Sequence, residues 1–116
     1  MDIELLRNYC LAKPYTTEET PFGPQILVFK VYGKLFCLFN IETFDRVNLK
    51  CNPEYALALR SEYMGITQGF HMNKKHWNTI TFDEDVAPEM ILHLVDHSFD
   101  SVVSKLSKIK QQKIAT

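Results

Sequence analysis

The segment from Gly69 to Thr79 holds the densest group of side chains that could bind an anion. Its eleven residues include two histidines, two lysines, two asparagines and the only tryptophan of the chain: His71, Asn73, Lys74, Lys75, His76, Trp77 and Asn78. Lys and His contact phosphates, Asn hydrogen-bonds base edges or carbonyls, and Trp offers a surface for stacking. The segment contains no carboxylate, Cys or Ser that could complete a nucleophile–base pair, so it predicts an anion- or nucleic-acid-binding surface. The same residues also fit a structural role, in which Trp77 packs under a loop and the asparagines satisfy turn backbones.

Two other groups of residues have side chains of the types found in reactive or metal-binding sites, but each lacks other residues that such a site needs. His93 and His97 stand four residues apart on a predicted helix, opposite its apolar stripe, so they are expected to face solvent or the edge of the sheet. No HExxH motif accompanies them, so a solvated pair without a metal is favoured. Cys10, Cys37 and Cys51 are odd in number and form no CxxC, which is typical of buried free thiols. No glycine-rich phosphate-binding motif occurs. We therefore expect a protein that is not an enzyme and that uses no metal or cofactor.

Charge is balanced overall but segregated along the chain. Thirteen Lys and Arg residues and fourteen Asp and Glu residues leave a formal net charge of −1. Residues 63–82 contain two lysines and no acid, residues 83–100 contain six acids and no Lys or Arg, and residues 101–116 contain four lysines and no acid. This layout is compatible with a local anion-binding surface on a nearly neutral molecule. The lysines of the tail also fit a solvated helix end, where cations are favoured.

Length and composition are those of one globular domain over residues 1–116, with a basic tail from about residue 107. The hydrophobic fraction of 46% and the charged fraction of 23% are ordinary for this class. The longest apolar stretches, residues 26–29 and 35–39, are far shorter than the ~20 residues of a membrane helix. The N-terminus lacks the basic start and apolar run of a signal peptide. A cytoplasmic protein without a membrane partner is therefore expected.

Apolar spacing and capping residues predict three helices, over about residues 2–13, 52–63 and 88–107. Asp2 and Asn52 are good N-caps for the first two, and Pro53 suits the first helical position of the second. The third helix carries one continuous apolar stripe. The members of that stripe are Ile91, Leu94, Val95, Ser98, Val102 and Leu106.

Four strands are predicted, at residues 26–32, 35–41, 46–51 and 76–82, with a two-residue turn at Gly33–Lys34 and loops over 15–24 and 65–69. Because the connections between these strands are short, we expect an antiparallel sheet and an α+β fold. Helices would cover one face of this sheet and leave the other open. Alternation in the last two strands places a polar, basic set with one tryptophan on the open face: Arg46, Asn48, Lys50, Trp77, Thr79 and Thr81.

The chain resembles the MmcQ/YjbR family of small bacterial proteins over nearly its whole length. The matching segments are Phe22–Pro24, Val28–Val31 with Gly33–Lys34, Asn48–Cys51, Gly69–Lys74, His76–Thr79 and Asp96–Phe99. The resemblance implies a CyaY/frataxin-like fold, in which helices pack on one face of an antiparallel sheet of four to six strands. It also implies a DNA-binding role, described as a double-wing arrangement. The positions that it marks as functional are Asn48, Lys50, His71, Asn73, Lys74, His76 and Trp77.

Three functions are open at this point. The first is DNA binding, mainly to backbone phosphates, by the exposed sheet face and the loop 69–76. The residues expected to contact DNA are Lys30, Lys34, Arg46, Asn48, Lys50, His71, Asn73, Lys74, Lys75, His76 and Trp77. The alternatives are a protein-interaction module that uses the open face, and a binder of a small anionic metabolite at His71, Lys74 and Lys50.

Overall fold

The structure, a computed structural model, describes residues 1–70 and 72–116. In these ranges the helices are α1 (Ile3–Leu11), α2 (Pro53–Glu62), α3 (Pro88–Val103) and α4 (Lys108–Ala115), and the strands are β1 (Thr16–Glu19), β2 (Ile26–Val31), β3 (Lys34–Asn40), β4 (Arg46–Lys50), β5 (Ile66–Gln68) and β6 (Trp77–Thr81). The six strands form one antiparallel sheet in the order β1-β2-β3-β4-β6-β5. The predicted α+β class and antiparallel sheet are confirmed.

Two short strands lie where loops were expected. β1 falls within the segment 15–24, and β5 lies between Gly65 and Gly69. They form the two edges of the sheet, where short strands with polar side chains are common because such strands pair poorly with other molecules. Their sequences, TTEE and ITQ, carry no apolar alternation, so the pattern that identifies a half-buried strand is absent from both.

The turn between β2 and β3 lies one residue earlier than predicted. Val31 pairs with Lys34, which makes Tyr32 and Gly33 the two turn residues in place of Gly33 and Lys34. Both have positive φ, 47° and 75°, as the tight hairpin turn that matches strand twist requires. The Tyr32 ring stacks on the Tyr15 ring with centroids 4.8 Å apart. This contact helps to hold Tyr32, which is not a glycine, at positive φ. Lys34 therefore begins β3.

A β-bulge in β3 explains its unbroken apolar run. Phe29 pairs with Cys37 and Lys30 pairs with Leu35, so Phe36 is an extra residue without its own cross-strand partner. Phe36 and Cys37 are both buried in the core beneath the helices. The residues on either side of them, Leu35 and Leu38, consequently both lie on the open face.

The main core lies between the sheet and α1, α2 and α3. Asp2 caps α1 by accepting the N–H of Leu5 at 3.0 Å, and Asn52 caps α2, as predicted. The predicted stripe of α3 is buried from Ile91 to Val102. The helix ends at Val103, short of the expected end near residue 107. Ser107 instead caps the separate helix α4.

The three cysteines are buried free thiols, as predicted. Burial raises the pKa of the Cys51 thiol to about 11. Burial and a hydrogen bond with Cys10 raise the pKa of Cys37 as well. Because the thiolate is the reactive form, the raised pKa values disfavour reaction of Cys37 and Cys51 at neutral pH.

A second, smaller apolar cluster lies on the open face. Trp77 packs there with Val28 and Leu38, and Met72 covers part of the cluster. The predicted side for Trp77 is correct, but the residue is only 7% exposed, so the prediction of an accessible stacking surface is wrong. The backbone at Gly69 approaches so closely that an added Cβ would lie 2.7 Å from the Trp77 Cβ, and this closeness requires glycine.

Within the described ranges, no helix is long and apolar enough to span a membrane; the longest, α3, has 16 residues.

Candidate nucleic-acid interface

Charged residues of opposite sign lie at opposite ends of the sheet. Lys50 ends β4 opposite Trp77, the first residue of β6, and Lys34 begins the neighbouring β3. The segment 74–76 precedes β6 at this same end. The connections at the opposite end carry acids: Glu42, Asp45, Asp83, Glu84 and Asp85. A chain with a net charge of −1 thus has a basic end and an acidic end.

A cleft of about 400 Å³ opens at the basic end. Its walls come from the end of β4, the start of α2, the loop before β6 and the segment that follows α3. Lys50, Asn52, His76, Ser101, Ser104 and Lys105 are among its lining residues. No Asp or Glu occurs in the part of this lining that the structure describes. Cationic and hydroxyl groups without a competing carboxylate favour a phosphate or another anion.

The lysines of the basic end are not neutralised internally. The ion pairs among described residues join Arg7 to Glu18, Lys13 to Asp96, Lys30 to Glu19 and Arg46 to Asp45. None of these pairs involves the basic-end lysines, Lys34, Lys50, Lys74, Lys75 and Lys105. Lys50 is half-buried and the other four are exposed. Their charges are therefore available to an external anion.

The loop 73–76 is held by hydrogen bonds that leave its lysines exposed. Asn73 Oδ1 accepts the backbone N–H groups of Lys75, at 2.9 Å, and His76, at 3.2 Å. The carbonyl of His76 accepts the N–H of Cys51 at 2.8 Å, which ties the loop to the end of β4. Asn73 is thus a turn-capping residue, as the structural alternative predicted, and it is also exposed.

Arg60 of α2 also holds this loop in place through hydrogen bonds. Its guanidinium donates to Asn78 Oδ1 at 2.7 Å and to the carbonyl of Trp77 at 3.2 Å. A further bond from Arg60 reaches the carbonyl of Lys74. One half-buried cation therefore holds three points of the chain around Lys74 and leaves the lysine side chain free.

The other predicted contact residues have partners elsewhere. Lys30 forms its ion pair across the edge of the sheet, at 3.2 Å. Asn48 Oδ1 accepts the hydroxyl of Thr79 at 2.6 Å. The guanidinium of Arg46 lies over the ring of Phe70, 4.3 Å from its centroid, near the acidic end of the open face. His71 lies outside the described residues. The members of the predicted set that share the basic end are Lys34, Lys50, Lys74, Lys75 and His76.

Lys105, Ser101 and Ser104 line the cleft but are absent from the prediction. Lys105 follows the end of α3, where its N–H donates to the carbonyl of Val102 at 3.1 Å in a tight turn. The acid-free tail was the one sequence signal for Lys105 as a site residue. It was not decisive, because lysines in such a tail also fit a solvated helix end. Only the packing of α3 on the sheet brings Lys105 to the same cleft as Lys50.

His97 lies beside the cleft and is half-buried, so the two histidines are not a fully solvated pair, while His93 is exposed as expected. Its Nε2 accepts the N–H of Asn52 at 3.2 Å, a bond that requires an unprotonated Nε2. Burial lowers the pKa of His97; Asp100 opposes this shift and His93 adds to it. Among the described side chains, no group of three His, Cys, Asp or Glu could hold a metal ion.

Comparison with known protein sequences gives consistent matches. The YjbR family model matches residues 11–101. The chain is 33% identical to YbdF, an uncharacterized protein of Escherichia coli O157:H7, over 96% of this chain and 92% of that protein. It is 38% identical to YyaQ, an uncharacterized protein of Bacillus subtilis (strain 168), over 47% of this chain and 46% of that protein.

Solved structures agree with the sequence matches. A crystal structure of a Deinococcus radiodurans protein with a DUF419 domain has a TM-score of 0.89 and 33% identity, covering 97% of this chain and 87% of that chain. A crystal structure of a Pseudomonas syringae protein has a TM-score of 0.73 and 26% identity, covering 87% of this chain and 98% of that chain. The resemblance indicated by the sequence motifs is thus confirmed, and the chain belongs to the MmcQ/YjbR family.

Proposed function

We propose that this protein is a non-enzymatic DNA-binding protein that contacts backbone phosphates with the basic end of its sheet. The observation that carries the proposal is that two lysines without an ion pair, Lys50 and Lys105, line a cleft whose described lining contains no acid. The loop that supplies His76 to this cleft carries two more such lysines, Lys74 and Lys75. Phosphates are the most regularly spaced anions that such a surface could meet, and lysines neutralise them with release of counterions.

The chemistry of the basic end favours the backbone over the bases. Lysine is a point charge on a flexible stem, whereas bidentate reading of a guanine edge calls for a planar fork such as arginine. Arg60 is committed to the loop carbonyls, and Trp77 is buried. The proposed binding is therefore strongly dependent on salt and weakly dependent on sequence.

The acidic end supports a single docking orientation. Glu42, Asp45 and the acids at 83–85 lie at the far end of the strands, where they repel a polyanion. A nearly neutral chain can thus approach DNA with one end only, since the field of its two ends orients it during encounter.

The test is to map the backbone amide resonances that move when duplex DNA is added, at about 50 mM and about 200 mM salt, concentrations between which phosphate contacts weaken strongly. We expect shifts at residues 33–35, 50–52, 73–76 and 101–105 at low salt, with much smaller shifts at high salt. Residues 42–45 and 83–85 serve as the internal control and should not move. Shifts that survive high salt or that centre away from the basic end would contradict the proposal, as would the absence of shifts.

A further inference from the structure

A second cleft, here called the open-face cleft, lies away from the basic end and has a volume of about 480 Å³. This volume is within the range of sites that hold small molecules. Its apolar lining comes from Phe22, Ile26, Leu38, Phe39, Phe70 and Met72. Two of these aromatic side chains are unusually accessible, since Phe22 is 65% and Phe70 49% exposed. The cleft therefore offers a hydrophobic floor with aromatic walls.

Apart from the carboxylate of Asp45, which also lines this cleft, its polar groups present hydrogen-bond donors. The backbone N–H of Phe70 donates to Thr79 Oγ1 at 2.8 Å, and the Thr79 hydroxyl donates to Asn48 Oδ1 at 2.6 Å. Asn40 Oδ1 is likewise occupied, by the N–H groups of Glu42 and Thr43 at 2.8 and 3.2 Å. In both asparagines the acceptor oxygen is used, which leaves the amide nitrogen to donate.

Arg46 adds a positive charge to these donors. Its guanidinium lies 4.3 Å from the centroid of the Phe70 ring, so the cation is held against an aromatic wall of the cleft. Its nearest carboxylate, Asp45, is 3.9 Å away from Nε and accepts a hydrogen bond from the Thr43 hydroxyl at 3.3 Å. Asp45 is thus a loose internal counter-ion, and an incoming anion would compete with it.

We propose that the open-face cleft binds a small aromatic acid, with the flat apolar body between Phe22 and Phe70 and the anionic group at Arg46, Asn48 and Asn40. The apolar lining selects the body, and two amide donors with one cation select a carboxylate or sulfonate over a neutral or cationic group. This site is separate from the proposed DNA-binding end, so either proposal can fail without the other.

The test compares two probes that share a naphthylamine body, 1-anilinonaphthalene-8-sulfonate and its neutral analogue N-phenyl-1-naphthylamine. Fluorescence titration measures each affinity, and amide shifts locate the probe. We expect the sulfonate to bind more tightly, with shifts confined to the residues around the cleft. Arg46→Gln should weaken the sulfonate by at least about tenfold, the scale of one lost charge-assisted bond, and change the neutral probe less than about twofold.

Three further variants make the result specific. Asp45→Asn, which removes the competing carboxylate, should tighten sulfonate binding and leave the neutral probe unchanged. Phe22→Ser, at a side chain that is 65% exposed, should weaken both probes. Lys113→Gln removes one positive charge from α4 and should change neither. Equal affinities of the two probes, no effect of Arg46→Gln, or shifts spread over the whole chain would overturn the proposal and indicate an apolar patch for a protein partner.

Discussion

Ser98 of α3 accepts a hydrogen bond from the backbone N–H of Lys50 at 2.8 Å and so ties the helix to the basic end of the sheet. The same hydroxyl donates to the carbonyl of Phe36, the bulged residue of β3. Because the bulge ends the regular pairing of β3 with β4 at this point, both backbone groups need another partner. The buried serine supplies it for both and positions the backbone from which the Lys50 side chain extends.

Ser98→Ala should therefore lower the free energy of unfolding by about 1–3 kcal/mol, the cost of leaving buried backbone groups unpaired. Ser101→Ala, on the next turn of the same helix, is the control, because the Ser101 hydroxyl contacts only the carbonyl and the ring of His97, within α3 itself. This variant should lower the free energy of unfolding by less than about 1 kcal/mol. Urea denaturation of both variants measures the difference. Equal losses would mean that the bridge between Phe36 and Lys50 contributes nothing.

Leu94→Ala should lower the free energy of unfolding by about 2–5 kcal/mol, because it removes a buried side chain from the core beneath the sheet. His93→Ala, at the neighbouring exposed position, is the matched control and should change the value by less than about 0.5 kcal/mol. Chemical denaturation curves with equal slopes make the comparison direct. A large loss for His93→Ala would show that the buried face of α3 is assigned wrongly.

Arg60→Met should weaken DNA binding without changing its dependence on salt. Arg60 holds the carbonyls around Lys74 but lies behind the loop, so its loss disorders the presentation of the lysines and removes no phosphate contact. Lys74→Gln, in contrast, should reduce the slope of log affinity against log salt by about 0.9. Salt titrations of both variants separate positioning from contact. If Arg60→Met reduces the slope as Lys74→Gln does, Arg60 itself binds phosphate.

Stability should decrease as the pH falls below about 6.5, the ordinary pKa of histidine. The folded pKa of His97 is lowered, mainly by burial, so the unfolded chain binds more protons in this pH range and protonation favours unfolding. Protonated Nε2 also cannot accept the Asn52 N–H. Denaturation midpoints at pH 7.5 and pH 5.5 should differ less in His97→Gln, whose amide oxygen can keep that bond. An unchanged pH dependence in this variant would assign it to other groups.

Local signals in the sequence predicted most of the fold. The alternation of Val47 and Leu49 with polar neighbours identified β4, and the Asn52–Pro53 pair identified the start of α2, because each pattern depends on residues close together in the chain. The edge strand β1 and the bulge at Phe36 could not be predicted in this way. Both depend on which strand lies alongside, a property of the assembled sheet.

The candidate site was predicted less completely than the fold, for the same reason. Lys50 and Lys74 were expected on one surface, and the pairing of β4 with β6 brings them to the same end of the sheet. Burial of Trp77 depends on Val28 and Leu38 from strands far away in the sequence, and on the close passage of Gly69. Alternation gives the side of the sheet on which a residue lies, and it gives no information on whether a loop covers that side.

The most direct test of the proposed DNA binding is the salt dependence of duplex affinity for the wild type and two double variants of equal charge change. If about four of the basic-end lysines reach phosphates, the wild-type slope is near −4, and affinity falls more than about a hundredfold between 50 and 200 mM salt. Lys74→Gln/Lys75→Gln should reduce the steepness of that slope by about two. Arg7→Gln/Lys30→Gln, which removes two cations that are already ion-paired, should leave it unchanged. A salt-independent affinity, or equal effects of the two double variants, would contradict DNA binding at the basic end.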